Sequence, residues 1–345
     1  MATRIVGLDI GSEELRAVEV ENPGNAKARI ARVHSIPLPE GAVASGQVVD
    51  RDLFVSSLRK LWSTGKFGTK RVALGIGNYR VLAREIELPE MTRQQVRESL
   101  AFHVQDKLPM PVEEAVLDFA QSGRYDAESG PMMTGLLVAA NKAFVLENVQ
   151  AVSRAGLSPV EVDLIPFALL RTALQSATAA GVVAVVDVGA DTTSILVAKD
   201  GRPRFVRLVP TGGREVSRAI AARLSQPEPV GERMKHDIGL YATGAGNPDA
   251  VTAIEAARTV SGELLTSIRS TLSYYDGAHP KSRITSVLLS GGGSRLEGFA
   301  QALTEVSGLP VSPLLSGESM STARGSQPTE PRHAVALGLA LGSGR

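Results

Sequence analysis

Two divergent copies of one strand–turn–strand unit, about half a chain apart, predict an α/β fold built as two lobes on one plan, and a third strand ending in a glycine turn near residue 291 supports it. The first unit alternates β-branched and small residues over Ile5–Ile10, breaks at Gly11-Ser12 and resumes over Leu15–Val20. The second runs through Val182–Val188, breaks at Gly189-Ala190-Asp191-Thr192-Thr193 and resumes over Ser194–Ala198, before a turn at Lys199-Asp200-Gly201.

The remaining elements follow in order. Residues 1–85 read as the core of the first lobe. Residues 86–155 read as a small α/β insertion: Leu88-Pro89-Glu90-Met91 leads into a helix over Thr92–Lys107 with Val96, Leu100 and Val104 at four-residue spacing. A polar, glycine-containing stretch, Gln121–Pro131, precedes a strand at Thr134–Ala140 and a helix at Ala143–Ala155. Residues of about 156–180 and 331–345 complete the first lobe. Residues 181–213 and 283–330 form the second core, and 214–282 a helical insertion with helices at about 214–224, 228–241 and 249–276. Ser312–Pro331 reads as an exposed loop, and a final apolar helix runs from His333 to about Gly342.

A chain of 345 residues with 43% hydrophobic content can bury a large core. Lys plus Arg total 37 against 36 for Asp plus Glu, so no net field draws it to nucleic acid or an anionic membrane. The lack of cysteine excludes disulfides, thiolate metal sites and a catalytic thiol, and fits a reducing compartment. The start, MATRIVGLDIGSEELRAVEV, lacks the plan of a signal peptide. The most apolar stretch, Gly181–Val188, is interrupted by Asp187 and falls short of the roughly 20 residues of a membrane span. A cytoplasmic protein without direct membrane insertion is expected.

Three glycine-bearing turns carry the chemistry. Small residues let backbone N–H groups approach phosphate oxygens closely. Asp9 precedes Gly11-Ser12, and Asp187 precedes Gly189 and the hydroxyls of Thr192 and Thr193. A carboxylate beside phosphates calls for a hard cation between them, and Mg²⁺ that keeps its waters fits. Glu232 and Lys235 stand three apart on one helix, so both can point the same way.

GLDIGS, VVDVGADTTS and LLSGGGSRLEGF resemble, in order, the phosphate-1, phosphate-2 and adenosine motifs of the actin-like ATPase superfamily, whose fold is the duplicated actin/Hsp70-like (ribonuclease H-like) one. Within it, ELPEMTRQQVRESLAFHVQDKLPMPVEEAVLDF resembles the insertion subdomain of the type IV pilus assembly PilM family, a relative of the cell-division protein FtsA. AGLSPVEVDLIPFALLRT, GERMKHDIG and HAVALGLALG resemble that family's connecting, nucleoside-contacting and closing helices. The resemblance implies ATP with Mg²⁺: Asp9, Gly11 and Ser12 at one phosphate hairpin, and Asp187, Gly189, Thr192 and Thr193 at the other. Gly212 and Gly213 would back the phosphates, and Asp9 and Asp187 would hold the metal through water. Glu232 and Lys235 would contact ribose and adenine, with Gly291, Gly292, Gly293 and Ser294 closing the adenosine pocket. It also implies a scaffold that docks, through its insertion, the cytoplasmic N-terminal peptide of a PilN-like bitopic inner-membrane protein, which recruits it to the cytoplasmic face of that membrane. Other pilus assembly proteins and further copies of the chain are the remaining partners implied.

One departure bears on turnover. Where related proteins place a Glu or Gln before a Pro-Xaa-Ala step, this chain has Ile165 before Pro166-Phe167-Ala168, and isoleucine can neither accept a proton nor orient a water. Asp163, read as helical, would face elsewhere, so weak or absent hydrolysis is expected. The five histidines lack metal-ligand spacing, and Arg202, Arg204 and Arg207 read as a solvated strand face. Two alternatives stay open. A small-molecule kinase of the same superfold would need a catalytic Asp and a sugar motif, and neither is evident. An FtsA-like cell-division protein would end in a basic amphipathic helix, which Leu341–Arg345 does not supply.

Overall fold

The runs of β-branched residues become the central strands of two sheets with one shared plan. The computed structural model describes residues 3–25, 27–175, 181–243, 246–315, 317, 320–323, 326 and 328–342. The first lobe opens with β1 (Arg4–Ile10), β2 (Glu14–Glu21), β3 (Arg29–Pro37), the short hairpin β4 (Val43–Ala44) and β5 (Gln47–Val48), α1 (Arg51–Gly65) and β6 (Arg71–Ile76). Then come β7 (Leu82–Pro89), α2 (Arg93–Val104), β8 (Ala115–Ala127), β9 (Gly130–Asn141), α3 (Lys142–Arg154), β10 (Ser158–Leu164) and α4 (Ile165–Ala173). The second half contains β11 (Val182–Val188), β12 (Thr193–Lys199), β13 (Arg202–Val209), α5 (Gly213–Arg223), α6 (Glu228–Asp237) and α7 (Pro248–Ala278). It ends with β14 (Ser286–Ser290), α8 (Phe299–Ser307), β15 (Val311–Pro313), β16 (Ser321–Thr322) and α9 (Ala334–Gly342).

Strand order β3-β2-β1-β6-β10 in the first sheet matches β13-β12-β11-β14-β15 in the second. In each, an antiparallel hairpin carries a parallel third strand on its first member, β6 on β1 and β14 on β11. β11 is apolar on both faces, as a strand covered on both sides must be. α4 and α9 fill the space between the sheets: Ala168, Leu169, Leu337 and Leu339 share one buried cluster with Val18 of the first sheet and Val185 and Leu196 of the second. α9 is buried on every side, which accounts for its uniformly apolar sequence. Its close approach depends on glycine: a Cβ on Gly7 would lie 1.9 Å from the Ala336 carbonyl oxygen, and one on Gly338 1.9 Å from that of Ala168.

The insertion is a three-stranded sheet, β7-β9-β8, with α2 laid across it. Thr92 and Gln95 form a capping box at the start of α2. Leu100 and Val104 point inward against Ile86, Leu88, Met133 and Leu137, so they serve the insertion's own core, whereas Phe102 on the opposite face is 74% exposed. Arg204 of β13 donates to the Ser122 hydroxyl across 3.1 Å and ties the insertion to the second lobe.

Several elements differ from the sequence-based expectation. Polar Gln121–Ala127 is strand, because β9 pairs with it up to the Gly130 turn, with a bulge at Ser122. The insertion's sheet begins at Leu82 rather than 86. α3, expected within the insertion, packs Ala151 and Val152 into the first lobe's core beside Leu58 and Val72. Asp163 lies on strand β10, not on a helix, so the connecting segment is half strand. Ser321–Thr322, expected in the second lobe, pairs with β3 in the first sheet, and Leu314, inside the expected exposed loop, is buried. Among the described residues, no helix is long and apolar enough to cross a membrane.

Candidate functional site

The two hairpins close by the same bond. The Gly11 N–H donates to the Glu14 carbonyl at 3.2 Å, and the Gly189 N–H to the Thr192 carbonyl at 2.9 Å, the same three-residue reach. A Cβ on Gly11 or Gly189 would lie 2.8 or 2.9 Å from that carbonyl oxygen, so both turns demand glycine. A third turn meets them: Gly291, at φ +91, runs its backbone against Val188, where a Cβ would come within 2.2 Å of the carbonyl oxygen. Among the described residues these turns enclose a cleft of about 400 Å³.

Of the residues expected to act together, Asp9, Gly11, Ser12, Asp187, Gly189, Thr192, Gly213, Glu232, Lys235, Gly291, Gly292 and Gly293 line this one cleft. Three do not. Thr193 is turned inward by strand alternation and donates to the Thr211 carbonyl (2.7 Å), so it braces a turn rather than facing the cleft. Gly212 lies behind the second hairpin, tight against the Gly189 and Ala190 carbonyls. Ser294 donates back to the Gly291 carbonyl (2.7 Å) and shapes the glycine turn, which continues as a 3₁₀ turn, Gly292–Arg295, before α8 begins at Phe299.

Asp9 and Asp187 occupy equivalent places in the two hairpins, each just before the turn. Burial raises the Asp9 carboxyl above its usual range, opposed by the Arg16 guanidinium at 3.0 Å. Asp187 is pushed up to about 6, first by burial and then by the charge of Asp9, against a hydrogen bond from Ser290 and the field of Arg16. The Ser194 hydroxyl, across the hairpin from Asp187 and on the cleft wall, is buried without a protein partner. On α6, Glu232 accepts from Ser217 and from Lys235 (2.7 Å), while Lys235 also reaches the Gly213 carbonyl (3.3 Å). Burial raises the Glu232 carboxyl, but the bonds from Lys235 and Ser217 outweigh it and hold it below its ordinary value.

Sequence reading missed Arg16, Asp191, Arg214 and Arg332. Arg16 bridges Asp9 to Glu14 (2.8 Å), and Arg332 reaches the other side of Glu14 (3.2 Å). Asp191 lies in the turn between the two strands of the second hairpin, where the local sequence marks no role for it. Ile165 lines the cleft, and a Cβ on Gly77 would lie 2.9 Å from its own Cβ. Asp163 is engaged by Arg171 and by the Leu164 N–H and is not among the residues that line the cleft.

Over residues 7–344 the chain matches the family described as type IV pilus assembly protein PilM. The chain belongs to that family. A solved structure described as the PilM-PilN type IV pilus biogenesis complex superposes with a TM-score of 0.84 at 27% identity, over 99% of this chain and 98% of that one. The cell division protein FtsA of Bacillus subtilis is 26% identical over 68% of this chain, and the match spans 58% of that protein's length. FtsA of Neisseria meningitidis is 23% identical over 96% of this chain and 88% of its own. The MreB5 structure of Spiroplasma citri bound to AMPPNP, at 10% identity and a TM-score of 0.55 over 97% of this chain and 94% of that one, shares the actin-like fold.

The residues present fit a magnesium nucleotide. The cleft has the volume of a small-molecule site, its turns bring bare backbone together, and the buried Asp9 and half-buried Asp187 carboxylates with the unpartnered Ser194 hydroxyl suit metal-bound water. Among the described residues no cluster of three or more His, Asp or Glu side chains forms a cage. Mg²⁺ needs none, since it takes most of its ligands from phosphate and water.

Proposed function

We propose that this chain is an ATP-binding, actin-like scaffold of type IV pilus assembly that works at the cytoplasmic face of the inner membrane. What carries the reading is the convergence of two equivalent Asp-Gly hairpins and a glycine turn on one cleft, in a chain of the PilM family. Gly11, Ser12, Gly189 and Thr192 would receive the phosphates, Glu232, Lys235 and Gly291–Gly293 the adenosine. Asp9 and Asp187 would hold Mg²⁺ through its waters, the ion supplying the positive charge that lets carboxylates and phosphates share the cleft. With Ile165 where a water-orienting group would stand, the cleft binds ATP and turns it over weakly. Calorimetry tests this: the wild type binds Mg-ATP and Asp187→Ala binds it more weakly, and no binding by the wild type with metal present sinks the assignment.

The partner is a PilN-like inner-membrane protein whose cytoplasmic N-terminal peptide docks on the insertion, in keeping with the PilM-PilN complex that the chain resembles. Exposed Phe102, opposite the buried Leu100 and Val104, and exposed Arg93 and Arg97 near the start of α2 support that surface. Arg97 and Phe102 are both exposed, so Arg97→Glu and Phe102→Ser leave the buried Leu100 and Val104 in place. They are expected to reduce capture of a PilN-type N-terminal peptide while Mg-ATP binding persists. Undiminished capture by both variants would place the docking surface elsewhere.

A further inference from the structure

Across the cleft the two lobes hold each other through Asp191. Its Oδ2 accepts from the Ser12 hydroxyl at 2.5 Å and from the Ser45 backbone N–H at 3.1 Å. Its Oδ1 faces the Arg214 guanidinium at 3.2 Å, and Arg214 carries the bridge on to Glu13 of the first hairpin at 3.1 Å. Ser45 reaches this point from a left-handed turn, φ +48, between β4 and β5. Buried Asn148 of α3 holds that turn, donating to the Gly46 carbonyl (2.9 Å) and accepting from the Val48 N–H (3.2 Å). The first-lobe side of the bridge is thus braced by the core, and the second-lobe side stands at the tip of the second hairpin.

We infer that Asp191 is a cross-lobe latch that competes with a nucleotide's phosphates for the Ser12 hydroxyl and so sets how tightly the cleft takes a phosphorylated ligand. The inference rests on the reading of the cleft as a phosphate site. A serine hydroxyl has one proton to donate, and here it goes to Asp191, so it cannot also serve a phosphate oxygen. The Asp191 carboxylate lines the cleft between the two hairpins and repels an anion placed there. A phosphate that takes Ser12 opens the latch and removes the Asp191 tie between the lobes, while Arg214 keeps Glu13 and Glu228 as partners. Phosphate occupancy and lobe angle are thereby coupled, because the ligand prefers the unlatched arrangement.

The test uses the full chain with Asp191→Ala and Asp191→Asn, titrated calorimetrically with Mg-ATP, Mg-ADP and adenosine. Loss of a charge-assisted contact that opposes binding is expected to tighten Mg-ATP about tenfold in Asp191→Ala. Asp191→Asn, which keeps an acceptor but not the charge, falls between, and adenosine is unaffected. Because the chain lacks cysteine, spin labels at Ser63→Cys and Glu263→Cys report the inter-lobe distance cleanly, and Asp191→Ala is expected to broaden or lengthen it. If the wild type binds Mg-ATP and neither variant binds it more tightly, the latch is wrong while the nucleotide reading stands. An unchanged distance distribution in Asp191→Ala also overturns the latch. If no version binds any nucleotide, both readings fall.

Discussion

Replacing Asp187 with asparagine separates the stability of the cleft from its affinity for metal. The wild-type carboxyl moves from an ordinary 3.8 to about 6 on folding, driven by burial and then by Asp9. A raised carboxyl stabilises the fold fully below pH 3.8, and that contribution disappears as pH rises through 6, where the buried group must ionise. At 1.36 kcal/mol per pKa unit, the interval corresponds to about 3 kcal/mol. Because Asp187 touches the cleft, that is a ceiling. The asparagine side chain could still accept from Ser290 but would carry no charge at any pH. The stability advantage of Asp187→Asn over the wild type should therefore grow from near zero at about pH 4 toward about 3 kcal/mol at about pH 7.5, read as the difference in urea unfolding free energy in the absence of Mg²⁺ and nucleotide. Titrating groups that do not interact with Asp187 cancel in the difference. Mg-ATP affinity should fall in the same variant. Parallel pH profiles for the two proteins would refute the view that Asp187 is held at a cost for binding.

Thr193→Val should lower stability by about 1–3 kcal/mol by leaving the Thr211 carbonyl without its donor, with Mg-ATP affinity unchanged, as equilibrium unfolding and calorimetry would report. Gly338→Ala should cost about 3 kcal/mol, since its Cβ would drive α9 from the Ala168 carbonyl, and a melting temperature equal to wild type would contradict the packing described. In single-turnover assays the wild type should hydrolyse Mg-ATP at least about a hundredfold more slowly than a site with a positioned base; brisk turnover that Asp9→Ala abolishes would show that a water-orienting group elsewhere in the cleft stands in for the one missing at Ile165.

Local pattern is legible in a sequence because neighbouring residues write it. The β-branched runs Ile5–Ile10 and Val182–Val188, each ended by a glycine turn, determined two strands, two turns and the place of Asp9 and Asp187 in them, and the PilM-like segments around them determined the family. Helix-period spacing likewise marked α2 and its inward residues Leu100 and Val104. Residues 121–127 carry no such signal, since β8 lies at the edge of its sheet and becomes a strand only because β9 pairs with it. The docking of α3 on the first lobe and the return of residues 321–322 to β3 are settled by contacts between distant segments, to which the local sequence is nearly indifferent. The same holds for the charges of the cleft. Arg16 meets Asp9 because antiparallel register sets them opposite one another, and Asp191 meets Ser12 and Ser45 because α4 and α9 pack the two sheets at a separation that brings their hairpin tips within hydrogen-bond reach.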